Sequence, residues 1–519
     1  MPAHPETMTR PAGVAPEIDA AHPAVRPRLR TTIVWPEACA LALYAALVGL
    51  AVPFHEPWAD EAQAWQLART LSLGQLFRTF IRYEASPGLW HFLLWILSRL
   101  HVSYTGLHWI AAGIAVASTA LLLFNSPFPR FLKLSLPFSY FLLFQYAVVA
   151  RNYVLVPPLL FLVAFCWKKQ PFVVAILLGL IANASLHAAV LSGGLAIVFA
   201  IEQIRFSPKD RNHRRNFIWC ALIVIAFYAF AIWTAFPPHD LSLSRPPGAH
   251  HPFFGWAIAS LCWGMCEPWI LSIPFWIAMA VWLGSRGKIA YLLPVAFFAV
   301  FSGAVYANWW HVGLLVPLLT CVLWITWPAQ DAVAKHWETV GKAALALMVA
   351  TQIVWSGYAL WFDHVKAYSP DRAAAEFLRP YVDQGASIAA TDLDDPVNYA
   401  FRAIGILPYF DHNILLNLPF AFWSWSDSNP SEPRYQAALP LHPRIVVVEI
   451  IYNGPEKPLT LDHPKYRALL DQGYRFTNLF CGTIPERTQA AFTNCHVIFQ
   501  YREAASTSPS SQSTMEIGR

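Results

Sequence analysis

Apolar residues along this chain fall into long blocks separated by short polar stretches, and the blocks are the size of membrane spans. In order they cover residues 32–54, 107–124, 131–149, 154–167, 171–202, 217–236, 255–283, 289–307, 313–327 and 343–361. The block at 171–202 exceeds the ~20 residues of one ordinary span and carries Asn183, Ser185 and His187 midway. It reads as two short helices with His187 near the turn between them. Two pieces depart from the pattern. Leu73, Leu76, Phe77 and Phe80 share one helical face, with Gln75, Arg78 and Arg82 on the other, as in a helix lying flat at an interface. Ser86-Pro87 is a helix start. The apolar run behind it, 88–100, is too short to cross and is expected to lie at the interface as well.

Charge orients these blocks. Arg26, Arg28 and Arg30 precede the first span, and further basic clusters fall at Arg130 and Lys133, at Lys168 and Lys169, from Arg205 through Lys209 to Arg215, and at Arg286 and Lys288. If 88–100 does not cross, all of them share the cytoplasmic side, as the positive-inside tendency requires. The expectation is about eleven crossings, N-terminus inside and C-terminus outside. Composition agrees: of 519 residues 56% are apolar and only 13% charged, about half the charged share of a soluble domain. The 23 Trp suit many membrane interfaces. A net charge of +5 in short scattered clusters excludes a nucleic-acid surface.

Four regions follow. Residues 1–30, rich in Pro and Ala without periodicity, form a disordered cytoplasmic arm. Residues 31–361 form the transmembrane domain, with 55–106 as its first extracytoplasmic loop carrying the interfacial helices. Residues 362–502 read as a small extracytoplasmic α/β domain, with strands at 386–391, 445–450 and 492–501 and helices at 371–381 and 464–472. Residues 503–519 are a Ser/Thr-rich disordered tail. Cys481 and Cys495 flank a hairpin and are expected to pair if this domain is extracytoplasmic.

The candidate chemistry begins at Asp60-Glu61, just beyond the first span. A carboxylate pair there has two readings: a general base at the mouth of a helix bundle, or acids at a helix N-terminus, where the dipole favours them. The orientation above puts Arg151, Tyr153, His187 and His311 on the same membrane face. An Arg beside a Tyr suits a phosphoryl group, although a snorkelling interface Arg has the same appearance. Glu84 precedes the 88–100 helix and His91 lies on it; a solvated loop acid is the plainer reading of Glu84, and His187 and His311 could equally hydrogen-bond a neighbouring helix. His250 and His251 lack nearby acids or Cys, and Cys262 and Cys266 share a helix face without further ligands, so no metal site is expected. Asp392, Asp394 and Asp395 read as a turn. No phosphate-binding glycine loop is present in the sequence, which disfavours an ATP-driven transporter.

An Asp-Glu pair after the first span, amphipathic helices, a Pro-led interfacial helix and Ala150-Arg151-Asn152-Tyr153 at an outer helix end together resemble the GT-C superfamily of membrane glycosyltransferases. The likeness is to the branch of protein O-mannosyltransferases and lipid A aminoarabinose transferases, and it covers the layout of 32–327. It implies a GT-C-like helical fold in a bacterial inner membrane, acting in the cell envelope. It also implies a hexosyl- or pentosyltransferase that takes sugar from a polyprenyl phosphate and passes it, with inversion, to a glycan, lipid or protein acceptor. No cofactor is implied beyond that donor. Asp60 then matches the general base and Glu61 its neighbour as catalytic residues, while Glu84, His91, Arg151, Tyr153, His187 and His311 become substrate-binding candidates. Members of the family carry Arg or Lys where this chain has His187 and His311. The competing expectations are a lipid-linked glycan transporter or flippase, and a non-catalytic relative that binds glycan. A transporter places polar residues at the bilayer midplane in repeated halves, and no repeat stands out in the sequence.

Overall fold

In a computed structural model, residues 34–206, 211–241, 252–327, 335–393, 402–426 and 431–501 are described. The arm 1–30, Lys209, His250 and His251, Asp394 and Asp395, and the tail 503–519 lie outside them. The protein is mostly helical, with one small sheet domain near its C-terminus.

The helices, in order, are α1 (Trp35–Ala51), α2 (Ala59–Thr70), α3 (Leu73–Arg78), α4 (Leu89–Arg99), α5 (Gly106–Asn125), α6 (Arg130–Ser135), α7 (Val156–Cys166), α8 (Pro171–Ala182), α9 (Leu186–Phe206), α10 (Arg211–Ala235), α11 (Phe253–Trp263), α12 (Trp269–Gly284), α13 (Leu293–Ala304), α14 (Trp309–Val312), α15 (Leu315–Thr326) and α16 (Lys335–Val365). Among the described residues, five segments are long and apolar enough to cross a membrane: Gly106–Asn125, Leu186–Arg205, Arg211–Ala235, Trp309–Thr326 and His336–Val365. Six shorter apolar helical segments accompany them. Apolar side chains also cover the outside of the bundle. On α10, Ile218, Trp219, Leu222, Ile225, Ile232 and Trp233 are all exposed, a surface compatible with lipid and hostile to water.

Several expected elements are present. The long block at 171–202 is split at Asn183–Ser185, between α8 and α9. Asn183 is held there by its Nδ2, which donates to the carbonyls of Gly179 and Phe227 at 2.9 and 3.0 Å. The 88–100 run is the short helix α4. At a rise of about 1.5 Å per residue, its 11 residues span roughly half the ~30 Å hydrocarbon core.

Three expectations need correction. Residues 131–149 do not form one helix: α6 ends at Ser135, a 3₁₀ turn follows at Leu136–Phe138, and a π turn at Phe141–Gln145. Pro137 has no amide to continue the helix, and Tyr140, Phe141 and Phe144 of this irregular stretch are instead fully buried. Residues 255–283 are two helices, α11 and α12, separated at Pro268 for the same reason. Finally, Ser86 does not cap α4; the Leu89 amide donates to the Asn183 carbonyl at 3.0 Å, which ties α4 to the α8–α9 break.

The C-terminal domain comprises α17 (Asp371–Asp383), β1 (Ile388–Asp392), α18 (Ser431–Ala438), β2 (Ile445–Asn453), α19 (Pro464–Asp471), β3 (Tyr474–Glu486) and β4 (Gln489–Tyr501). Sheet order is β1-β2-β4-β3; β1 runs parallel to β2, and β4 antiparallel to both its neighbours. Alternation splits the central strands between two cores. Ile445 and Val447 pack with Ala374, Leu378, Ile404 and Leu407, while Val446 and Val448 pack with Tyr435, Tyr466 and Leu469. Coverage on both faces is why 445–448 is an unbroken apolar run. Cys481 and Cys495 are register partners on β3 and β4 and form the disulfide.

This domain sits on one end of the helical bundle. Gln63 and Gln66 of α2 bond to the backbone of Trp423 and Ala421, and Arg69 donates to the Phe410 carbonyl at 3.0 Å. The β3–β4 turn reaches the α11–α12 break, where Arg487 pairs with Glu267 and donates to the Trp263 carbonyl.

Candidate functional site

A cavity of about 240 Å³ opens at the end of the bundle covered by the sheet domain, between α2, the Glu84–His91 segment, Arg151–Tyr153, the start of α9 and α14. Asp60, Glu84, His91, Arg151, Tyr153, His187 and His311 all line it. Glu61 does not.

Asp60 and Arg151 face each other across the cavity, Oδ2 to Nη2 at 2.9 Å, with side chains 25% and 18% exposed. Asp60 stands in the first turn of α2, whereas Arg151 lies on extended backbone just ahead of a short 3₁₀ turn, Asn152–Leu155. The guanidinium is surrounded by aromatic rings, with Trp58, Tyr153 and Trp310 centroids at 5.5, 5.4 and 5.5 Å. Its Nη1 is buried and has no hydrogen-bond partner among the described residues. A cation held in an aromatic collar with one donor unused is suited to an anionic group.

Glu84 accepts from Gln63 Nε2 at 2.7 Å, and Gln63 is itself clamped by both backbone groups of Trp423. Burial raises the Glu84 carboxyl to about 7; the Gln63 hydrogen bond opposes the rise and the Asp60 charge adds to it. Two carboxylates of one cavity thus differ in kind, one paired to a cation and one near its midpoint at neutral pH. Burial lowers His91 to about 4, and neither of its ring nitrogens has a partner among the described residues. It is a neutral imidazole with one donor and one acceptor free for a ligand.

The Glu84 shift has a consequence for stability. Its folded pKa lies above the unfolded value of about 4.3, so the folded state holds a proton that the unfolded chain has released. Stability is then lost as pH rises through about 7. Glu84→Gln is expected to raise the melting temperature at pH 8 and to leave it near wild type at pH 4.5. A gain of equal size at both pH values would rule out this origin.

His187 and His311 stack with ring centroids 3.8 Å apart and planes at 12°. His187 Nε2 lies 3.0 Å from the Tyr306 carbonyl and therefore carries the proton. Its Nδ1 remains an acceptor, suited to a ligand hydroxyl. His311 Nδ1 accepts the Asn308 amide at 2.9 Å and caps α14. His311 Nε2 in turn lies 3.1 Å from Trp310 Nε1, and among the described lining residues Arg151 is the permanent cation.

Glu61 requires correction as a catalytic candidate. Successive residues on a helix point about 100° apart, so Asp60 faces the cavity while Glu61 turns into the protein interior, only 3% exposed. Its Oε1 accepts from the Ala150 amide at 2.7 Å and contacts His108 Nε2 at 2.9 Å; its Oε2 accepts the Trp58 amide at 3.2 Å. Glu61 therefore caps α2 and also fixes the backbone next to Arg151. The helix-start reading of the carboxylate pair holds for this residue.

Gln63, Tyr306, Asn308 and Trp425 line the cavity without having been singled out from sequence. Gln63 lies one helical turn beyond Asp60, so helical spacing was the available signal. Trp425 comes from the sheet domain more than 350 residues later in the chain, and no local pattern marks it.

The fold and the cavity define the class: a mostly helical protein whose apolar helices are compatible with a membrane, with a small sheet domain closing a polar cavity at one end. No protein-family model and no curated protein matches the chain.

Proposed function

We propose that this chain is an integral-membrane glycosyltransferase of the GT-C type, moving a sugar from a polyprenyl phosphate to an extracytoplasmic acceptor with inversion. The observation that carries the reading is the Asp60–Arg151 pair, a carboxylate and a guanidinium 2.9 Å apart in one cavity. Asp60 takes the proton of the acceptor hydroxyl as its oxygen attacks the anomeric carbon. The bond from that carbon to the phosphate oxygen breaks, and the electron pair leaves with polyprenyl phosphate. Arg151 Nη1 stabilises the charge that develops there, while Glu84, His91, Tyr153, His187 and His311 hold sugar hydroxyls and the ring.

A second cavity supports a lipid-linked donor. It measures about 540 Å³, is lined by Phe77, Leu89, Phe92, Leu180, Phe227 and Phe230 among others, and is almost wholly apolar. The Gly88–His91 and Asn183–His187 segments contribute to both cavities, so a headgroup in the first leaves its tail a short path to the second. The chain then crosses a bacterial inner membrane about eleven times, with the N-terminus cytoplasmic and the sheet domain extracytoplasmic. The Cys481–Cys495 bridge supports an oxidising compartment for that domain.

The test is transfer by purified protein in liposomes supplied with labelled polyprenyl-phosphate sugars and candidate acceptors. A covalent product of opposite anomeric configuration is expected. Movement of label between leaflets without a new glycosidic bond would favour a flippase instead, and neither product nor movement a binding protein.

A further inference from the structure

Behind the cavity, separated from it by α2, lies a buried cluster with a different character. His55 follows α1, Glu61 belongs to α2 and His108 to α5, and all three are at most 3% exposed. One donor atom from each lies within 4.8 Å of the other two, and the two His–Glu61 contacts, 3.6 and 2.9 Å, bracket the ~3.4 Å that two bonds of about 2.1 Å set at a tetrahedral angle.

The partners of each atom are informative. His55 Nδ1 contacts both oxygens of Asp363 at 3.2 and 3.3 Å. Asp363 is itself buried near the end of α16. With Nδ1 committed to that carboxylate, Nε2 is the atom left to take a metal ion. It points toward Glu61 but stops 3.6 Å from Oε2, and has no hydrogen-bond partner among the described residues. A carboxylate behind one imidazole nitrogen with the other left open is the arrangement that orients a metal-ligating His. His108 Nε2 already faces Glu61 Oε1 at 2.9 Å.

We propose that His55, Glu61 and His108 hold a buried divalent metal of the zinc class, with Asp363 orienting His55 from behind. Two imidazoles and a carboxylate are a borderline-soft nitrogen–oxygen set, suited to zinc and less so to magnesium or calcium. Charge balances as well: the dication offsets the two carboxylates and lets both imidazoles stay neutral. The site is structural. It would join the end of α1, α2, α5 and, through Asp363, the end of α16, and through the Glu61–Ala150 bond it would set the position of Arg151 relative to Asp60. This inference is independent of the transfer reading.

The experiment is elemental analysis of full-length protein purified in detergent without chelator, then after chelation and zinc addition. About one zinc per chain is expected for a site of this kind, with a lower melting temperature after chelation. His108→Ala and His55→Ala should lose the metal, whereas His336→Ala, an exposed position, should keep it. Protein without metal before and after zinc addition overturns the proposal, as does full occupancy in both variants. Should the variants fail to fold, X-ray absorption on the wild-type zinc protein decides. A shell of two imidazoles and carboxylate oxygen supports the site, and a sulfur or all-oxygen shell overturns it.

Discussion

Asp60→Asn is expected to lower sugar transfer by about 10²–10⁴-fold, the usual weight of a positioned general base, while the protein melts close to wild type. Asparagine keeps the shape of the side chain and an oxygen for Arg151, but it cannot accept a proton at neutral pH. The stability half of the expectation follows from exposure: the pair is 25% and 18% open, and partly solvated ion pairs contribute only about 0–1 kcal/mol. The readout is turnover in liposomes at saturating donor, since the loss belongs in kcat and not in donor affinity. Transfer at wild-type rate by the folded variant would remove Asp60 as the base.

One residue further along, the outcome should reverse. Glu61→Ala should destabilise the protein by about 3–5 kcal/mol, the cost of removing one partner from a buried charged network. The substitution leaves the Ala150 amide, the Trp58 amide and His108 facing a void. A large fall in melting temperature is expected, with activity lost in proportion to folded protein. A variant that melts like wild type yet fails to transfer would instead make Glu61 part of the chemistry.

The paired outcomes show how far the sequence could be read. Helix positions were legible because an apolar block records its own length and a short polar insertion such as Asn183–Ser185 records a break. The short helix α4 was legible by its length. Strands β1, β2 and β4 were legible as short, largely apolar stretches, whereas most of β3, being only partly buried, carries no such signal. The breaks at Pro137 and Pro268 were missed because apolar composition continues through both, even though each residue carries its own helix-stopping chemistry.

Sequence alone led to the expectation that Asp60, Arg151, His187 and His311 share one end of the bundle, because charge asymmetry gives each apolar block an expected direction, and all four line one cavity. Tertiary structure alone decided which of two adjacent carboxylates meets the cavity, since a rotation of about 100° between neighbours on a helix is read only against what surrounds it. It likewise brought Trp425 to the cavity, His108 to Glu61 and Asp363 to His55. Those contacts cross 47 to more than 300 residues of chain, a range over which no local spacing carries information.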